Sequence, residues 1–89
     1  MIYIVEDDEN IRQLEQYALK NAGCETSGFE TGAQLFAALA AARPRLLLLD
    51  VMLPGEDGIS LLRRLKSTPE YSDIPVIMVS AKSQELDAV

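Results

Sequence analysis

Three short apolar runs end in groups able to do phosphoryl or metal chemistry. Ile2-Tyr3-Ile4-Val5 leads into Glu6 and Asp7, Leu46-Leu47-Leu48-Leu49 into Asp50, and Val76-Ile77-Met78-Val79 into Ser80. If the three runs are neighbouring parallel strands, three carboxylates and a hydroxyl meet at one sheet edge. Carboxylates that close repel one another unless a divalent cation is shared between them. Hard oxygen ligands suit Mg2+, which takes one or two carboxylates, keeps several waters and accepts phosphate oxygens. A cation beside a nucleophilic carboxylate also offsets the charge of an incoming phosphoryl group, whose transfer needs little beyond positioning and charge compensation. Taken singly, each group has a plainer reading. Glu6-Asp7-Asp8-Glu9 is a solvated helix start, Asp50 a turn residue, Ser80 a small strand terminator and Lys82 a surface lysine. Their recurrence at the ends of successive strands points to a site, with Asp50 at its centre.

The elements that must position these groups follow from hydrophobic period and punctuation. Four leucines bounded by turn residues read as a central strand buried on both faces. After the first strand, Asp7 or Asp8 caps a helix whose first turn is acidic, as the helix dipole favours. Ile11, Leu14, Ala18 and Ala22 recur at helical spacing and are expected inward, with Arg12, Gln13, Glu15, Gln16 and Lys20 toward water. Gly23 stands where a helix ends. Cys24 to Phe29 is a weak strand, polar enough for a sheet edge. Thr31 caps a second helix with Ala33, Leu35, Phe36, Leu39 and Ala40 on its apolar side, and Arg43-Pro44-Arg45 breaks it. Asp57 or Gly58 opens a third helix with Ile59, Leu62 and Leu65 inward. Pro75 introduces the last strand, and Ser83 is placed to cap a further helix over residues 84–89. Alternating strands and helices with short connections imply a parallel α/β sheet built from right-handed crossovers.

Composition bounds the function. Eighty-nine residues make one small domain, and 14 acidic against 8 basic residues give a net charge of −6, which disfavours binding to nucleic acid. The single cysteine, Cys24, cannot form an internal disulfide and reads as a free thiol in a reducing compartment. No run is long enough to span a membrane and no secretory signal opens the chain, so a cytoplasmic protein is expected. A turnover enzyme is not expected: an aspartyl phosphohydrolase would carry a second Asp two residues after the nucleophile, where Met52 stands, and there is no histidine to act as a base. A nucleotide-binding fold is disfavoured because no G-x-G-x-x-G or P-loop pattern follows the first strand.

The runs Ile4-Val5-Glu6-Asp7-Asp8-Glu9, Leu48 to Gly58 and Ile74 to Lys82 together resemble the receiver domain of two-component response regulators, nearest the branch with winged-helix DNA-binding outputs. The resemblance covers the whole chain. It implies a flavodoxin-like, doubly wound parallel sheet with strand order 2-1-3-4 and Mg2+-dependent phosphorylation of Asp50 by a partner histidine kinase. It also implies Mg2+ held by Glu6, Asp7, Asp50 and the backbone carbonyl of Met52, with Ser80 as the switch hydroxyl. A C-terminal DNA-binding output domain is implied for the parent protein. The fifth strand with its Lys-Pro pair and the fifth helix of such receivers have no counterpart here, and Lys82 does not take the role of that lysine. The resemblance therefore implies an incomplete receiver, about its first three quarters, with weakened or absent phosphoryl transfer. Its fourth strand would be an open edge ready to pair with another chain, so self-association is expected. The competing reading is a phosphorylation-incompetent module that acts only by protein interaction or self-association.

Overall fold

The computed structural model describes residues 1–51, 53 and 57–79. Among these residues seven elements alternate: β1 (Ile2–Val5), α1 (Glu9–Asn21), β2 (Thr26–Phe29), α2 (Gly32–Ala41), β3 (Leu46–Asp50), α3 (Gly58–Ser67) and β4 (Val76–Val79). All strand pairs are parallel and the sheet order is β2-β1-β3-β4. The flavodoxin-like order expected from the sequence is the observed one.

Handedness then places the helices. The chain steps from β1 outward to β2, then reverses past β1 to β3 and continues to β4. Right-handed crossovers in opposite directions put α1 on one face and α2 with α3 on the other. Side chains alternate accordingly. Tyr3, Val5, Leu47 and Leu49 point to the α2–α3 face and are buried with Leu35, Leu39, Leu61 and Leu65 in one apolar cluster. On the other face Ile2 and Ile4 are buried as well, but Leu46 and Leu48 are only half-buried. The leucine strand is thus fully buried on one face and partly on the other, because α1 is the only described helix on that side and it lies toward β2.

Caps sit where the sequence places them. Asp8 accepts from the Ile11 amide at 3.0 Å, Thr31 from Gln34 at 3.2 Å and Asp57 from Ser60 at 2.8 Å. Gly23 takes φ +90° just after α1, a conformation that costs glycine nothing.

Helix faces differ from the sequence expectation. In α1 no residue is fully buried. Leu14 is 68% exposed, and Ala18 and Ala22 also face solvent, whereas Arg12, Glu15 and Gln16 turn toward the sheet and are half-buried. The reason lies in β2, where Gly28 leaves room for long side chains: Arg12 lays its apolar stem across it and Gln16 sets its amide oxygen over it, and both have polar ends that are paired. In α2, Leu35 and Leu39 are buried while Ala33 and Ala40 are exposed; in α3, Leu61 and Leu65 are buried and Ile59 faces out. The helix expected after Ser83 lies outside the described residues.

Candidate metal and phosphoacceptor site

The strand order reverses between β1 and β3, and in open α/β sheets the crevice beyond the carboxyl ends at such a reversal is where ligands bind. Register decides which residues stand there. Val5 is level with Leu49, so the next residues on the two strands, Glu6 and Asp50, leave the sheet side by side. Glu6 is 1% exposed and Asp50 2%, and Asp7 is half-buried beside them. One carboxylate oxygen from each of Glu6, Asp7 and Asp50 lies within 4.8 Å of the others.

The β1–α1 turn is held by hydrogen bonds on every side of Glu6. Its amide donates to the Phe29 carbonyl of β2 at 3.0 Å. Its carboxylate accepts from the Asp8 amide at 2.9 Å, and its carbonyl accepts from Arg12 Nη1 at 2.8 Å. Opposite it, Val51 donates to Val79 of β4 at 2.9 Å, and the Gly58 amide donates to Val51 at 2.8 Å, which docks the start of α3 against the end of β3.

This donor set suits a hard divalent cation. It consists wholly of carboxylate oxygens, two of the three residues are buried, and Asp50 Oδ2 is sealed from solvent. The chain has no histidine, and its single cysteine, Cys24, lines a groove with Met1, Ile2 and Arg45 at the opposite strand ends. Oxygen-only coordination favours Mg2+ or Mn2+ over zinc or copper. Glu6, Asp7 and Asp50, singled out from the sequence, are brought together. Met52, Ser80 and Lys82 lie outside the described residues.

Three further residues bear on the site and escape sequence reasoning. Arg12 and Gly58 touch its backbone. Glu15, expected toward water, lies on the sheet side of α1, and burial, then the charge of Asp50, raises its pKa above the usual glutamate value. The folded chain therefore holds that proton more tightly than the unfolded one, and its contribution to stability falls as pH rises through the raised pKa. Glu15→Gln abolishes this loss. Its stability gain over wild type in urea unfolding is expected to be larger at pH 7 than at about pH 4; an equal gain at both would place Glu15 in solvent.

Comparison with known proteins agrees with this geometry. Residues 2–89 match the family described as response regulator receiver domain. The transcriptional regulatory protein CseB of Streptomyces coelicolor is 42% identical over 88 residues, which is 99% of this chain and 36% of that protein. The chain thus spans about a third of that relative's length. The N-terminal domain of a response regulator receiver protein from Methanoculleus marisnigri superposes with TM-score 0.86 at 35% identity, over 94% of this chain and 70% of that one. The Mn2+-bound form of the response regulator Rcp1 superposes with TM-score 0.81 at 32% identity, over 97% of this chain and 68% of that one.

Proposed function

The chain belongs to the response regulator receiver domain family, and on that premise we propose that it is a phosphoacceptor module in which Asp50 receives a phosphoryl group from a partner histidine kinase. The carrying observation is the convergence of Glu6, Asp7 and Asp50 oxygens within 4.8 Å at the ends of β1 and β3. These residues would hold Mg2+, with the Met52 carbonyl added by the family resemblance. When bound, the cation supplies charge compensation for the carboxylates and for the phosphoryl oxygens. An Asp50 oxygen attacks phosphorus, the bond from phosphorus to the donor's imidazole nitrogen breaks, and an aspartyl phosphate is left. Ser80 is assigned the switch hydroxyl on the same resemblance. The chain acts as acceptor, not as a turnover enzyme. In a longer parent, acting in the cytoplasm, a DNA-binding output domain would read the switch.

Incubating the chain with Mg2+ and a small acyl phosphate, followed by intact mass, tests this reading. A single phosphoryl adduct that forms only with the cation and maps to Asp50 is expected. No adduct in a chain that still binds the cation would favour a phosphorylation-incompetent interaction module. One observation keeps that reading in view. Among the described residues β4 pairs only with β3, and its Ile77 is 50% exposed, so an apolar parallel edge is presented for pairing. Light scattering across a concentration series is expected to show association that Ile77→Lys reduces; a monomer at every concentration would count against it.

A further inference from the structure

We propose that Arg12 is a positioning residue that sets the peptide between Glu6 and Asp7 for cation binding, an inference that rests on the metal reading above. β1 is paired with β2 as far as Val5 and Phe29, and Glu6 follows the last of these pairs. Arg12 Nη1 donates to that carbonyl at 2.8 Å, a charge-assisted bond to a residue that is 1% exposed. The carbonyl belongs to the peptide unit that joins the two acidic residues. Turning that plane changes ψ of Glu6 and φ of Asp7 together and re-aims the Asp7 carboxylate relative to Glu6 and Asp50. Holding its oxygen therefore fixes the relative setting of two proposed ligands with one bond. The Glu6 amide is held in turn by the Phe29 carbonyl of β2 at 3.0 Å.

What lets Arg12 reach is a gap on β2. A Cβ at Gly28 would stand 2.8 Å from Arg12 Cδ and 3.1 Å from its Cγ, closer than carbon atoms pack. The absence of a side chain on an edge strand that carries no site residue thus allows the guanidinium stem to lie flat toward the β1–α1 turn. Gln16, one turn on, crosses the same strand and donates to Thr26 Oγ1 at 3.3 Å. The two side chains share the packing of α1 on β2 and differ in the partner they are bonded to: Arg12 to the Glu6 carbonyl of the site, Gln16 to a side chain of β2.

That difference separates positioning from plain support. Mn2+ affinity, read by electron paramagnetic resonance of the free ion, is measured for wild type, Arg12→Met, Gln16→Met, Gly28→Ala and the pair Arg12→Met with Gly28→Ala. Metal-free thermal unfolding is recorded for each. Arg12→Met keeps the apolar stem and loses the donor; it is expected to weaken Mn2+ binding about tenfold, the scale of outer-shell supports of metal ligands. Gln16→Met is expected to leave Mn2+ affinity within about twofold of wild type whatever it does to unfolding. Gly28→Ala, which pushes the stem aside, is expected to weaken binding in the wild-type background and to add nothing once Arg12 is Met. Equal losses of affinity in Arg12→Met and Gln16→Met, or unchanged affinity in Arg12→Met, would overturn the inference while the metal site stands. Absence of Mn2+ binding in wild type would remove the metal reading and this inference with it.

Discussion

Gly58→Ala is expected to cost about 3 kcal/mol of stability, at the upper end of the range for overpacked buried sites, and to weaken cation binding as well. Two effects oppose each other. Alanine is the better helix former by about 1 kcal/mol, and Gly58 opens α3 with a negative φ, so backbone conformation does not demand glycine there. Space does. A Cβ on Gly58 would meet Asp50 C and Val51 Cα, each at 2.9 Å, and would run closer still into the Asp50 carbonyl oxygen. Every one of these is a backbone atom, and they lie at the end of a central strand, so no rotamer change relieves the contact. The helix must back away or the strand end must move. Either displaces Asp50 relative to Glu6 and Asp7. In a domain of this size, whose whole stability is on the order of 5–10 kcal/mol, the loss is plainly visible in the denaturation midpoint. Gly28→Ala is the internal contrast, because the atoms it meets first are in flexible side chains, and it is expected to cost far less. A Gly58→Ala chain with wild-type midpoint and wild-type Mn2+ affinity would refute the close approach of α3 to β3.

Asp50→Asn is expected to have opposite effects on the metal-free and the metal-loaded chain. Carboxylate oxygens within 4.8 Å of one another repel by roughly 3 kcal/mol or more per pair at an effective dielectric constant of 20, before relaxation and counterions. Replacing the central charge with a neutral isostere of nearly the same shape removes part of that, so the metal-free chain gains about 1 kcal/mol. Wild type, by contrast, is expected to be stabilised by the cation through mass action, by about 2.7 kcal/mol at a concentration a hundredfold above Kd. Asparagine retains an oxygen donor but not the charge, so most of that stabilisation is lost and phosphoryl incorporation disappears. Melting curves with and without Mg2+ for both chains read the crossing directly: the variant is the more stable without the cation and the less stable with it. A variant that melts below wild type without Mg2+ would show that Asp50 supports the fold by hydrogen bonding more than it strains it by charge.

Much of the frame is legible in the sequence because it is local. Strand runs such as Ile2-Tyr3-Ile4-Val5 and Val76-Ile77-Met78-Val79 carry their own period and punctuation, and both strands begin and end there. Asp8, Thr31 and Asp57 cap helices through bonds to amides three residues on, a range at which the chain has little freedom. The parallel order follows from alternation of elements and the handedness of crossovers. The acidic residues could be singled out because carboxylates at the ends of successive strands in a parallel sheet share an edge by topology alone.

What the sequence by itself determined, then, is which residues form strands and helices and that Glu6, Asp7 and Asp50 end on one side. Tertiary structure decided the rest, because it turns on contacts between residues far apart in the chain. The register of Val5 with Leu49 sets Glu6 level with Asp50 and draws the carboxylates within 4.8 Å; a slip of one residue would turn one of them to the other face. Helix phase was decided in the same way. Leu14 and Ile59 look inward by periodicity and face out, while Arg12, polar by type, faces in. At Arg12 the face was settled by the space the neighbouring strand leaves, the side chain Gly28 does not have.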